Sequence, residues 1–71
     1  MRQGRVRRWI HERGFGFILD DNGGPDAYFC AGNVCDPAQV EFLQAGVKVT
    51  YTEPVNNEHG WKTFHVVLTG E

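Results

Sequence analysis

Hydrophobic and polar positions alternate along most of the chain, with short runs that change phase at turns. Arg5 to His11 (R-V-R-R-W-I-H) alternates loosely and is rich in β-forming residues. Gly14 to Leu19 (G-F-G-F-I-L) predicts a second strand, since glycines set between aromatics disfavour a helix. Ala27 to Cys30 predicts a third. Gly46 to Thr52 predicts a fourth, with Val47, Val49 and Tyr51 on one face and Lys48, Thr50 and Thr52 on the other. Trp61 to Thr69 predicts a fifth, with Phe64, Val66 and Leu68 on one side. Between these runs, Asp20-Asp21-Asn22-Gly23-Gly24-Pro25-Asp26 reads as a turn cluster, and Glu53 to Gly60 as a loop. Ala31 to Ala45 is irregular, with a short helical turn over Pro37 to Leu43, Asp36 as its N-cap and Pro37 as its first residue. Five short strands with turn signals between them predict an all-β fold, a small antiparallel barrel closed to hide its edges.

Length limits this to one domain over residues 1–71, because 71 residues barely bury one core. No apolar run approaches the roughly 20 residues that span a bilayer. The opening Met1-Arg2-Gln3-Gly4-Arg5-Val6 lacks the apolar stretch of a secretion signal. A cytoplasmic protein without membrane partners is the expectation. Cys30 and Cys35 are too few for a disulfide scaffold and read as reduced thiols. With His11, His59 and His65 they form no metal-ligand spacing, so no metal or other cofactor is expected. The chain has no serine, which removes serine-nucleophile hydrolases. Asp20 and Asp21 are adjacent carboxylates, but in a turn cluster they serve turn geometry and solvation. Nothing in the spacing points to an enzyme.

Charge adds a polarity to this picture. The net charge is -2 and the pI about 5.8. Yet Arg2, Arg5, Arg7, Arg8 and Arg13 are five of the seven basic residues, against Glu12 alone in the same segment. A basic strip therefore lies on an acidic body. It is either a solvated arm or a phosphate-contacting edge, and in the second case the weak net charge predicts modest affinity and a shallow salt dependence.

Arg13-Gly14-Phe15-Gly16-Phe17-Ile18 carries the most information. Two-residue periodicity puts Phe15 and Phe17 on one face, Gly16 and Ile18 on the other. With Ile18 and a close-packing Gly16 inside, the two phenylalanines stand outside, and Tyr28 joins them if Phe29 is core. The opposite phase would place Phe15 and Phe17 in the core. An outward aromatic face beside arginines suits single-stranded nucleic acid, whose bases stack on rings at roughly 1–3 kcal/mol each. The same stripe also suits a proline-rich peptide or an apolar partner.

These residues resemble the cold-shock domain, a five-stranded barrel of the OB type that binds single-stranded RNA and DNA. The resemblance spans nearly the whole chain. The family's Lys-Gly-Phe-Gly-Phe-Ile is similar to Arg13-Gly14-Phe15-Gly16-Phe17-Ile18, and its Val-Phe-Val-His to Ala27-Tyr28-Phe29-Cys30. Its opening Gly-x-Val-Lys-Trp-Phe-Asn resembles Gly4 to Ile10, and its Leu-x-x-Gly-x-x-Val-x-Phe resembles Leu43 to Tyr51. An RNA-recognition motif shares the glycine-aromatic strand but needs a strand and a helix before it, and twelve residues leave no room.

The resemblance implies a nucleic-acid-binding site of Arg7, Arg8, Trp9, Arg13, Phe15, Phe17, Tyr28, Cys30 and Trp61. The aromatic rings would stack bases and the arginines would neutralise phosphates. Departures from the family follow from the same alignment. Arg8 stands at the exposed tryptophan position, and Trp9 at the next one unless a bulge slips the register by one. Cys30 replaces a histidine, Ala31 an aromatic, and Trp61 a proline. Trp61 either adds stacking area from the opposite rim or caps the barrel end. Two lost platforms on the third strand imply a weaker binder with a shorter footprint. The expected partner is single-stranded RNA or DNA, bound with low sequence specificity by a monomer in an RNA-chaperone-like or regulatory role. The alternative is a degenerate barrel that acts as a protein-interaction module or dimerises through its long loops.

Overall fold

A computed structural model describes residues 1–69. It contains seven strands: β1 (Arg2–Ile10), β2 (Phe15–Asp20), β3 (Ala27–Cys30), β4 (Lys48–Tyr51), β5 (Val55–Asn57), β6 (Gly60–Lys62) and β7 (Val66–Leu68). They form one sheet in the order β5-β6-β3-β2-β1-β4-β7. Pairing is antiparallel throughout except for a parallel contact between β3 and β6, where Tyr28 faces Lys62. Beyond β3, Val34 bridges to Val66 and the Cys35 N–H donates to the Val66 carbonyl. This ties the middle of the chain to the far edge of the sheet, which curls into a half-barrel.

The curled sheet encloses Val6, Ile18, Ala27, Phe29, Val34, Leu43, Val49, Tyr51, Val66 and Leu68. Alternation on β2, β3 and β4 supplies most of this list, as the sequence pattern predicts. Gly16 lies inside because nothing larger fits. A Cβ there would collide with the Arg8 carbonyl and come within 2.9 Å of the Trp9 ring. The β1–β2 turn closes with Arg13 and Gly14 N–H groups on the Ile10 carbonyl, and Gly14 takes the positive φ that the turn requires.

Seven strands replace the five expected, for two local reasons. The segment predicted as a loop, 53–60, contains β5, which turns at Glu58 and His59 and pairs with β6. Gly60, with a φ of 107°, completes that turn, and the Asn57 side chain accepts from the His59 N–H. The predicted fifth strand, 61–69, breaks into β6 and β7. Its breakpoint is Thr63, which is fully buried. The Thr63 hydroxyl donates to the Thr52 carbonyl, and its N–H donates to the Tyr28 carbonyl. Pinning Thr63 inward shifts the phase by one residue, so Phe64 turns outward while Val66 and Leu68 remain in the core. The expectation that Phe64 shares their side is corrected accordingly.

At the other end, β1 begins at Arg2 rather than Arg5. Arg2 grips Glu53 with two hydrogen bonds and also binds the buried Asp20 carboxylate. The Asn22 N–H, then the Arg2 guanidinium, hold the Asp20 carboxyl below its usual range. The helical turn after Asp36 is a 3-10 helix over Pro37–Phe42, with Asp36 accepting from the Ala38 N–H. Among the described residues no helix is long and apolar enough to cross a membrane.

Candidate nucleic-acid interface

Three aromatic rings gather on the outer face of β2 and β3. Residue pairing sets Phe15 opposite Cys30 and Phe17 opposite Tyr28, so their side chains share one surface. The Phe15 and Phe17 rings lie edge to face at 6.0 Å, and Tyr28 lies 6.3 Å from each. All three are half-buried. Leu19, 46% exposed, extends the apolar stripe along β2. Phe15, Phe17, Tyr28, Cys30, Arg13 and His59 line a shallow groove of about 360 Å³.

The arginines divide into occupied and unoccupied. Arg2 is taken by Asp20 and Glu53, and Arg7 by Asp26 at 3.3 Å. Arg5 donates to the Gly46 carbonyl. Arg8 and Arg13 are exposed and have no carboxylate partner among the described residues. Arg8 pairs across the sheet with Phe17, which puts a cation at the edge of the aromatic face.

Trp9 does not join that face. A bulge does interrupt β1, but its extra residue is Arg7: Val6 pairs with Ile18 and Arg8 with Phe17. Arg7 and Arg8 therefore both point outward, and Trp9 turns in over Gly16. Its ring stacks on the buried Phe29 at 5.4 Å and 22°, and its indole N–H is buried without a partner. Trp61 is 41% exposed, and alternation along β6 sets it on the face opposite Lys62, away from the aromatic groove.

Lys62 is the residue that sequence reasoning missed. Its ammonium sits 4.3 Å above the Tyr28 ring and 5.7 Å from the Phe64 ring. It donates to Asn33 Oδ1 at 2.9 Å and to Cys30 Sγ at 3.3 Å. Asn33 is itself fixed by the Cys30 N–H, 2.8 Å from the same oxygen. Cys30 Sγ also lies 3.5 Å from the Tyr28 hydroxyl, and this contact raises the Tyr28 pKa above the ordinary phenol value. Cys30 thus acts through polar contacts where a ring would stack. The signal that could have found Lys62 is weak: a lone lysine two residues after Gly60, on a strand whose pairing partner is not readable from the pattern.

Cold shock protein ScoF of Streptomyces coelicolor is 41% identical to this chain over 51 residues, which are 72% of this chain and 75% of that protein. The chain belongs to the cold-shock protein family. No family model matches it. The outer surface of this chain is aromatic on β2 and polar at the β3–β6 junction, where Lys62 meets Cys30 and Asn33.

Proposed function

We propose that this cold-shock protein binds single-stranded nucleic acid through the outer face of β2 and β3, within a barrel of the OB type. Phe15, Phe17 and Tyr28 offer stacking surfaces, and Arg8, Arg13 and Lys62 offer charge to phosphates. The observation that carries this reading is the contiguity of three outward rings with three cations that no carboxylate among the described residues neutralises. A folded protein has little reason to present such a stripe unless a flat, anionic ligand covers it. Bases supply the flat surface and phosphates the charge.

Mechanistically the action is passive. Unpaired bases lie on the rings at roughly 1–3 kcal/mol each, and every base trapped this way is withheld from pairing. A duplex hides the faces that the rings need, so it competes poorly. The interface uses π-surfaces common to all bases, which makes sequence preference low. Few free cations border the groove, so few counterions are released on binding.

Binding of labelled oligothymidine, the matching RNA and a duplex at two salt concentrations tests the reading. The single strands are expected to bind and the duplex to fail. The log–log salt slope is expected near three cations' worth, about -2 for a single strand. A steep slope with equal binding of duplex would mean phosphate contacts alone. Silence toward all three, with capture of a proline-rich peptide on the same face, would favour the protein-interaction reading.

A further inference from the structure

Lys62 and Phe64 stand outside the surface that the glycine-aromatic strand defines, yet they are continuous with it. Tyr28 touches Phe15 and Phe17 on one side and the Lys62 ammonium on the other, and Phe64 lies beyond that ammonium. Phe64 is 49% exposed, although Thr63 before it and Val66 two residues on are fully buried. It is turned out because Thr63 is pinned in, so its position is set by the backbone and not by chance rotation of a loop side chain. Lys62 is held as firmly. Asn33 and Cys30 take two of its three donor hydrogens, and two ring faces flank it.

One donor of Lys62 is left without a hydrogen-bond acceptor, and no acidic group lies within ion-pair distance of the ammonium among the described residues. A fixed ammonium with a spare donor, next to a half-open aromatic ring, matches one nucleotide: phosphate or base carbonyl on the ammonium, base on the ring. We propose that Lys62 and Phe64 form an additional nucleotide subsite at the β6 end of the aromatic face. This rests on the single-strand-binding reading above and extends it. The strand would run from Phe17 across Phe15 and Tyr28 to Phe64, so the stacking area missing at Cys30 and Ala31 is made up one strand further along the sheet. The ligand class is a single-stranded oligonucleotide long enough to reach past Tyr28.

A length series decides the matter. Anisotropy of labelled oligothymidines from about two to sixteen nucleotides, which spans the roughly 4–16 nucleotides that such barrels cover, is measured for the parent, Phe64→Ala, Phe64→Tyr and Lys62→Gln. Phe64 is exposed, so its variants are expected to keep the parent's unfolding curve. The expected result is that the shortest oligonucleotides bind the parent, Phe64→Ala and Phe64→Tyr alike, while Lys62→Gln, which removes a cation of the main face as well, binds more weakly at every length. Longer ones would bind Phe64→Ala and Lys62→Gln more weakly than the parent, by about 5- to 150-fold for Phe64→Ala, the worth of one stacked base. Phe64→Tyr, which keeps the ring, would follow the parent. Equal binding of parent and Phe64→Ala at every length overturns the subsite and leaves the single-strand reading standing. Failure of the parent to bind any length overturns both.

Discussion

The two faces of the β2–β3 hairpin come from one alternating sequence and have opposite fates. Inward go Gly16, Ile18, Ala27 and Phe29, all buried. Outward go Phe15, Phe17, Leu19 and Tyr28, none fully buried. Each face carries aromatic mass, so hydrophobicity alone does not sort them. What sorts them is space: Gly16 admits the Trp9 ring onto Phe29, and no second ring could enter beside it. The inner face therefore holds the fold together, while the outer face, left over by the same periodicity, is free for a ligand. Stability and binding should then respond to separate substitutions.

The largest effect expected is on the inner face. Phe29→Ala removes a fully buried ring and the partner of Trp9, and should cost about 3–5 kcal/mol in urea unfolding. For a chain of this size that approaches the whole of its stability. Next comes Trp9→Leu, which keeps apolar bulk and removes the orphaned indole N–H. It should cost about 1–3 kcal/mol of stability, less than truncation to alanine, and leave oligonucleotide affinity within about two-fold. A large loss of affinity at unchanged stability would place Trp9 on the binding face after all.

The smallest effect concerns Tyr51. Its hydroxyl is buried without a hydrogen-bond partner, and burial pushes its pKa up to about 12 from an ordinary 10.0. The raised value means that the folded state holds the proton more tightly than the unfolded state. This share of stability is complete below about pH 10 and disappears as pH climbs toward 12. Tyr51→Phe should be neutral or stabilising by about 1 kcal/mol near neutral pH. It should also flatten the alkaline limb of a stability–pH curve. A loss of several kcal/mol would reveal a partner for the hydroxyl.

The same residues show how much the sequence made legible. Alternation in Phe15–Leu19, Ala27–Cys30 and Lys48–Tyr51 was enough to divide each strand into two faces, because each strand is flanked on both sides by partners that keep its phase, whereas Asp20, read as a solvated turn residue, is buried at the end of β2 against Arg2. Where a single residue resets the phase, the pattern misled. Thr63 looks like an ordinary polar outward position, but its bonds to Thr52 and Tyr28 draw it inside and turn Phe64 out. The Arg7 bulge has the same character: two adjacent arginines point outward and Trp9 goes in. Both events depend on pairing between distant strands, which local periodicity does not encode. Charge was legible as composition and not as availability. Five clustered arginines suggested a basic edge, yet Arg2 and Arg7 are spent on Asp20, Glu53 and Asp26, while isolated Lys62 is poised beside the rings.

The position of the tryptophans also governs how binding should be followed. Trp9 faces the core and Trp61 the far side of β6, so intrinsic fluorescence reports the groove poorly and a label on the oligonucleotide is the better probe. The most direct test of the two-face account is a paired measurement on the Phe15→Ala, Phe17→Ala double variant: anisotropy of labelled single-stranded oligothymidine alongside urea unfolding. The account predicts that affinity falls by about 2–6 kcal/mol, two stacked bases, while unfolding stability moves by a much smaller amount. Affinity unchanged from the parent in a variant that remains folded would contradict it.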